Sequence, residues 1–159
     1  HWQRESDWSH LDIIDTDIPG LVPAGRLDED SEGLLLLTND GRIINRLIHP
    51  SFEVEKEYRV VLPRETGDEM KRIIEGIEVG GEFMKATSVR KEGKNVLLIT
   101  LVEGKNREIR RMLGYLGYRV ERLMRIRIGN IEIGDLKPGE WRELNENEIK
   151  KLRELCYES

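Results

Sequence analysis

The sequence predicts an α+β fold in a single domain that spans residues 1–159. Segments with the two-residue period of β-strands alternate with segments of helical spacing, and short turns join several of the strands. No internal repeat, Pro-rich linker or low-complexity stretch divides the chain, whose length suits one ordinary domain. We therefore expect a mainly antiparallel mixed sheet flanked by helices.

The first predicted elements follow an acidic, glycine-bounded loop at 25–33. The leucine-rich segment 34–38 is too apolar to have one face in water, and it predicts a buried strand. The turn sequence Asn-Asp-Gly at 39–41 leads into a predicted helix over 42–48, which should end at His49 before a proline.

A strand and a short helix are predicted next. Alternating residues over 54–62 indicate a strand that turns Tyr58 toward the core. Helical spacing over 65–75 indicates a helix that Gly76 ends. The expected inward residues of this helix are Met70, Ile73 and Ile74.

The second half of the chain predicts five strands and two helices. The strands are expected at 77–79, 83–90, 95–102, 119–128 and 131–136. One helix is expected over 107–116, with Gly117 ending it. The other is a C-terminal helix that Asn145 and Glu148 open at the spacing of a capping box.

The composition is that of a soluble globular protein with a charged surface, because 36% of the residues are charged and 38% are hydrophobic. Cys156 is the only cysteine, so the chain cannot form an internal disulfide, and we interpret it as a packing residue. No apolar run approaches the roughly 18 residues of a membrane helix, and no secretory signal opens the sequence. We expect a cytoplasmic protein that does not enter membranes.

The charge is unevenly distributed. The net charge of −5 argues by itself against a nucleic-acid binder. Residues 105–127, however, hold eight basic and two acidic residues, a local charge of +6 that leaves −11 for the rest of the chain. Such a basic stripe is typical of a phosphate-binding surface. The alternative is an Arg-rich helix and strand whose charges are solvated and paired with glutamates.

The acidic loop at 25–33 is the main candidate for chemistry. Carboxylates beside an apolar strand cost solvation free energy, so such loops usually hold a carboxylate in a defined place. Asp28 could still be an ordinary loop or capping aspartate. A hydrolase that uses Asp28 and Asp30 together is disfavoured, because residues two apart on an extended segment point to opposite faces. Three scattered histidines and one cysteine predict no transition-metal site.

Four motifs, in this order, resemble those of the ribosomal RNA pseudouridine synthases that carry Gly-Arg-Leu-Asp. They are GRLDEDSEG at 25–33, EKEYRV at 55–60, EGKNREIRRM at 103–112 and VERLMR at 120–125. The resemblance covers residues 21 to about 144 and implies the fold of that family's catalytic domain. No Lys-Pro-x-Gly strand precedes Gly25, so we expect that strand to be missing and a sheet edge to be exposed. The chain resembles the short members of this group, and by that resemblance we expect no extra N-terminal RNA-binding domain.

The resemblance implies a role for individual residues in isomerising a uridine of ribosomal RNA. Asp28 would be the catalytic carboxylate, Tyr58 would stack on the target base, and Arg110 would pair with Asp28 and keep it ionised. The residues expected to bind the RNA are Arg26, Lys56, Lys105, Arg107, Arg111, Leu123 and Arg125, with Leu123 closing the apolar side of the pocket.

The reaction that the resemblance implies needs no cofactor and no metal, because it involves no redox change. Whether Asp28 attacks C1′ or removes the 2′ proton stays open at this point. A catalytically inactive RNA-binding module of the same fold would be favoured if Asp28, Tyr58 or Arg110 were replaced, and all three are present.

Overall fold

The computed structural model describes residues 20–25, 27–49, 53–105 and 107–157. Within these ranges the strands are β1 (Val22–Pro23), β2 (Glu32–Gly33), β3 (Leu37–Thr38), β4 (Lys56–Val61), β5 (Ile77–Val79), β6 (Glu82–Met84), β7 (Ser88–Gly93), β8 (Val96–Leu101), β9 (Arg122–Ile128) and β10 (Ile131–Glu132). The helices are α1 (Gly41–Ile48), α2 (Lys71–Glu75) after a 3₁₀ turn at Asp68–Met70, α3 (Glu108–Tyr115) and α4 (Glu146–Tyr157). Arg26 and the region in which the missing N-terminal strand was expected lie outside the described residues.

A six-stranded sheet forms the centre of the fold. Its strand order is β10-β9-β4-β8-β7, with antiparallel neighbours throughout, and β2 adds to β9 in parallel. Two further pairs, β1 with β3 and β5 with β6, lie outside this sheet. The predicted α+β class with a mainly antiparallel mixed sheet is therefore confirmed.

Two apolar clusters stabilise this arrangement. The first joins the centre of the sheet, represented by Val60 and Ile99, to Met112 of α3. The second joins Ile128 at the end of β9 to α1 and α4, and it includes the fully buried Cys156. Because β9 contributes to both clusters, it is the strand on which the two halves of the core meet. The burial of Cys156 agrees with its interpretation as a packing residue.

The leucine run is buried as predicted, but it does not form one strand. Leu34, Leu35 and Leu36 are each at most 7% exposed. The Leu34 amide donates to the Arg125 carbonyl at 2.8 Å, whereas the Leu36 carbonyl accepts from the Ala24 amide at 2.8 Å. The run thus changes partner from Arg125 to Ala24 within three residues, so β2 ends at Gly33 before the run and only Leu37–Thr38 of the predicted strand forms a strand, β3.

Several predicted boundaries are also wrong. The helix expected over 65–75 starts only at 68, because Gly67 is extended, and Ile74 is 39% exposed rather than inward. The strand expected over 83–90 is two strands, since the Ala86 amide leaves the sheet to bond the Ile73 carbonyl at 2.9 Å. Strand β9 begins at 122 instead of 119, and β10 ends at 132 instead of 136.

Predictions that rest on end-capping are confirmed. The Glu148 amide donates to Asn145 Oδ1 at 2.8 Å, and the Asn145 amide donates to Glu148 Oε1 at 3.0 Å, which completes the capping box of α4. Helix α1 ends at His49, and Gly117 with φ +90° follows the end of α3. Among the described residues, no helix has both the length and the apolar composition to span a membrane.

Candidate active site

A cavity of about 360 Å³ opens between the acidic loop, strands β4 and β9, and the start of α3. Its lining contains most of the residues that the motifs singled out, together with Glu108 from α3. The lining residues discussed below are Asp28, Ser31, Lys56, Tyr58, Lys105, Arg107, Glu108, Leu123 and Arg125. Arg110 and Arg111 are not part of this lining.

The loop that carries Asp28 is held at both ends. Leu27 is 2% exposed, so the residue before Asp28 is anchored in the interior. The Ser31 amide donates to the Asp28 carbonyl at 2.9 Å and closes a turn. Asp28 itself is half-buried in the cavity wall. The acidic loop therefore presents one carboxylate to the cavity from a constrained backbone.

Gly33 is required by the way this loop joins the sheet. Strand β2 pairs in parallel with β9, and Gly33 lies opposite Arg125 with φ +117°. A Cβ atom at Gly33 would lie 2.5 Å from the Arg125 backbone nitrogen and closer still to its carbonyl oxygen. Only glycine allows both this φ value and this approach. In the sequence this residue is recognisable only as the boundary of the loop.

Tyr58 and Leu123 reach the cavity from one face of the central sheet. Tyr58 is half-buried and lies opposite Ile99 on β8 and Arg125 on β9. The register between β4 and β9 shifts between Glu57 and Tyr58, and such a bulge redirects the side chains beside it. Leu123 is 5% exposed and supplies an apolar wall. The structure therefore brings an aromatic ring and an apolar side chain to the cavity that holds Asp28.

Two cations line the cavity beside these groups. Lys56 Nζ donates to the Leu47 carbonyl at 2.7 Å. Burial, and next the positive charge of Arg125, lower the pKa of Lys56 from 10.5 to about 8. Arg125 is only 5% exposed, and its Nε donates to the Leu34 carbonyl at 2.9 Å. Both cations are held by backbone carbonyls, so the walls of the cavity carry fixed positive charge.

Arg110 does not pair with Asp28, contrary to the expected contact. Its Nη2 donates to the Asp30 carbonyl at 2.7 Å, and its Nε lies 3.4 Å from Asp30 Oδ2. Arg107 binds the same carboxylate with both guanidinium nitrogens, Nη1 to Oδ1 and Nη2 to Oδ2, each at 2.8 Å. The reason is that Arg107 and Arg110 lie three residues apart at the start of α3, where neighbouring side chains can meet one group, and the loop places Asp30 within reach of both.

Electrostatic interactions link Arg107 to both aspartates. The hydrogen bonds from Arg107 hold the pKa of Asp30 below its ordinary value. The pKa of Arg107 is raised, first by this bond and also by the negative charge of Asp28. Asp30 does not line the cavity, whereas Asp28 does. The two carboxylates thus face different surroundings, which removes the geometric basis for a hydrolase that would use them together.

Glu108 is a site residue that sequence reasoning missed. Glu108 is 3% exposed and lines the cavity. Its Oε1 accepts from the Lys105 amide at 3.0 Å. Burial, and next the neighbouring Glu103 carboxyl, raise the pKa of Glu108 to about 7. In the sequence, the only feature that marks Glu108 is its position at the start of a predicted helix. Glutamates at that position are usually exposed to solvent, so the sequence did not indicate a buried site residue.

Most of the basic stripe is paired with carboxylates of this chain. Lys105 Nζ lies 2.8 Å from Glu103 Oε2 and also donates to the Phe83 carbonyl. Arg111 lies 2.8 Å from Glu82 on β6 instead of at the cavity. The other pairs join Arg122 to Glu32 at 2.6 Å and Arg127 to Glu57 at 3.1 Å. The interpretation of the stripe as paired with glutamates therefore describes much of this structure, and an RNA phosphate would have to compete with these carboxylates.

The part of the chain that the structure describes contains no group of three or more His, Cys, Asp or Glu residues arranged to hold a metal ion. The cavity is instead lined by one carboxylate-bearing loop, an aromatic ring, an apolar wall and several cations. These groups could bind a molecule that has a flat ring and anionic groups. The aromatic ring would stack on the flat ring, the cations would bind the anionic groups, and the Asp28 carboxylate would lie beside the bound molecule.

Comparison with known proteins gives consistent results. The family model for RNA pseudouridylate synthase matches residues 3–115. An uncharacterized RNA pseudouridine synthase of Aquifex aeolicus is 46% identical over 142 residues, which cover 86% of this chain and 57% of that protein. The dual-specificity RNA pseudouridine synthase RluF of Salmonella typhi is 42% identical over 136 residues, or 85% of this chain and 47% of that protein. The chain thus spans about half the length of the curated relatives it matches.

Solved structures place the fold in the same group. A crystal structure of a pseudouridylate synthase superposes with a TM-score of 0.80 at 34% identity, over 86% of this chain and 63% of that one. An H/ACA ribonucleoprotein bound to a substrate RNA matches with a TM-score of 0.52 at 19% identity over 73% of this chain and 41% of that chain, which shows a shared fold alone. On the matched residues and the sequence identity, this chain belongs to the RNA pseudouridine synthase family.

Proposed function

We propose that this chain isomerises a uridine of ribosomal RNA to pseudouridine in the cavity that Asp28 lines. The observation that carries the proposal is that Asp28, Tyr58 and Leu123, which lie on three separate motifs, line one cavity with the cations Lys56 and Arg125. A volume of about 360 Å³ falls in the size range of small-molecule sites. The cavity is therefore large enough for one base taken out of the RNA stack.

The reaction breaks the bond between C1′ and N1, rotates the uracil and joins C1′ to C5. The C5 proton leaves and N1 gains a proton, so the composition of the RNA is unchanged. Asp28 would act at the ribose, either as the nucleophile at C1′ or as the base at the 2′ position. Because its loop is held by Leu27 and by the Ser31 amide, the carboxylate would need little reorganisation.

The remaining wall residues would hold the extruded nucleotide. Extrusion of a base costs a few kcal/mol, and stacking on the ring of Tyr58 would offset about 1–3 kcal/mol of that. Leu123 would contact the other apolar surface of the base. Lys56, Lys105 and Arg125 would neutralise the flanking phosphates at the cavity, whereas Arg107 would remain bound to Asp30. Arg110 would act on Asp28 only indirectly, through the contacts of Arg110 with Asp30.

The test is release of tritium from C5-labelled uridine in transcripts of small- and large-subunit ribosomal RNA. The parent should release tritium, and Asp28→Asn should not. The matched control is Asp135→Asn, which makes the same change at an exposed residue outside the cavity and should match the parent. Equal release by the parent and by Asp28→Asn would refute the role of Asp28.

Two further outcomes would separate the parts of the proposal. RNA binding by the parent without any tritium release would instead indicate the inactive RNA-binding module. Release from a transfer RNA transcript, with none from either ribosomal transcript, would refute the proposed substrate and leave the reaction intact.

A further inference from the structure

We propose that Asp30 is a positioning residue, which fixes the Asp28 loop on the first turn of α3 through Arg107 and Arg110. This inference rests on the proposed function, since it concerns how Asp28 is held for that reaction. Its basis is that one residue receives contacts from two arginines, at its side chain and at its backbone carbonyl.

The contact between Arg107 and Asp30 has a defined geometry. Two parallel hydrogen bonds of 2.8 Å join the guanidinium to the carboxylate, and such a bidentate pair fixes orientation as well as distance. The third bond, from Arg110 Nη2 to the Asp30 carbonyl at 2.7 Å, fixes the loop backbone. Arg107 itself has φ +52°, a left-handed conformation that is uncommon outside glycine. The residue that holds the Asp30 carboxylate therefore enters α3 from a left-handed backbone conformation.

The anchored residue lies two positions from Asp28, in the same turn. The hydrogen bond from the Ser31 amide to the Asp28 carbonyl spans this turn. Asp30 contacts α3 outside the cavity lining, and Asp28 lies within that lining. Movement of Asp30 would therefore be transmitted to Asp28, because only one residue separates them along the backbone.

The contact is suited to positioning rather than to global stability. The side chains of Asp30 and Arg107 are 47% and 43% exposed, and ion pairs of that exposure add little to the free energy of folding. Loss of the contact should therefore leave the fold intact and let the loop move. Displacement of a reacting group by about 1 Å can lower a rate by on the order of 100-fold, so a large kinetic effect from a small structural change is expected.

A competing interpretation makes the opposite kinetic prediction. The guanidinium groups of Arg107 and Arg110 match a phosphate as well as a carboxylate. If Asp30 only occupied a phosphate site until RNA arrives, its removal would strengthen RNA binding and leave the chemical step unchanged. The proposal requires the reverse, a slower chemical step with little change in binding.

The experiment compares Asp30→Asn and Asp30→Glu with the parent and with the control Glu29→Gln, which changes the exposed carboxylate beside it. Single-turnover tritium release gives the rate of the chemical step, and filter binding gives RNA affinity. Asp30→Asn should slow the chemical step by on the order of 10- to 100-fold and change RNA affinity by less than about twofold. Asp30→Glu should recover part of the rate because it keeps the charge, and Glu29→Gln should match the parent.

Each alternative result has a distinct meaning. An unchanged rate in Asp30→Asn, with or without tighter RNA binding, would overturn the positioning role. Absence of tritium release from the parent would refute the proposed function instead. In that case hydrogen exchange at the Ser31 amide still decides the inference, since Asp30→Asn should speed this exchange by on the order of tenfold through local opening. Exchange at the parent's rate would overturn it.

Discussion

The substitution Glu108→Gln should make the protein more stable at neutral pH, and the gain should disappear in mild acid. Glu108 is 3% exposed and shares its surroundings with the Glu103 carboxyl, and its pKa is raised from 4.5 to about 7. The folded chain therefore binds this proton more tightly than the unfolded chain does. The stabilisation that the proton supplies is complete below pH 4.5 and is lost as the pH rises toward 7.

The magnitude follows from the two pKa values. A difference of about 2.5 pH units corresponds to about 3 kcal/mol at 1.36 kcal/mol per unit. This is an upper value, because relaxation of the folded chain and entry of water lower the cost of a buried charge. Glutamine cannot ionise and keeps an oxygen that can accept from the Lys105 amide, as Glu108 Oε1 does at 3.0 Å. The substitution should therefore remove the pH-dependent loss and keep the hydrogen bond.

Urea unfolding at several pH values between 4.5 and 8 measures this effect. The difference in unfolding free energy between Glu108→Gln and the parent should rise from near zero at pH 4.5 to between about 1 and 3 kcal/mol above pH 7. The matched control is Glu154→Gln, which changes an exposed glutamate on α4 and should give no comparable rise. A difference that stays constant across this range, or that falls, would refute the burial argument for Glu108.

Three further predictions concern the site. Gly33→Ala should lower the free energy of unfolding in urea by more than about 2 kcal/mol, because its Cβ would overlap the Arg125 backbone at a positive φ. The control Gly114→Ala, whose Cβ would meet no atom within 4 Å, should not lower the free energy of unfolding. Since the pKa of Lys56 is about 8 in the folded protein, against 10.5 ordinarily, stability should rise as the pH increases from 8 to 10.5, and this rise should be absent in Lys56→Met. Most of the basic stripe is paired with carboxylates. The slope of log K against log salt for RNA binding should therefore be much shallower than the value of about −6 that eight unpaired cations would give on a single strand. A slope of −6 or steeper would contradict this.

The features that the sequence predicted correctly depend on neighbouring residues. The capping box of Asn145 and Glu148 and the end of α1 at His49 involve groups within four positions of each other. Such contacts form whenever the local backbone adopts the helix, so a short segment contains the information that specifies them.

Features that the sequence did not reveal depend on the pairing of distant segments. The leucine run is divided because its first residue bonds to Arg125 and its third to Ala24. The partner of Arg110 lies 80 positions away, and the motif alone suggested Asp28 in place of Asp30. Periodicity describes which face of a segment is apolar, but not which of two nearby carboxylates a distant arginine meets. That choice is made by how the loop docks on α3.

The docking of the loop on α3 also explains how several arginines can lie close together at the start of this helix. Each arginine at the start of α3 lies against the Asp28 loop or the β5–β6 pair, which separates it from its neighbours by a carboxylate or a carbonyl. Without those partners, the guanidinium groups at the start of α3 would repel each other and raise the free energy of the folded chain. The acidic residues of the 25–33 loop therefore serve two purposes in the proposed mechanism. Asp28 faces the substrate cavity, and Asp30 and Glu32 neutralise arginines that hold the loop in place.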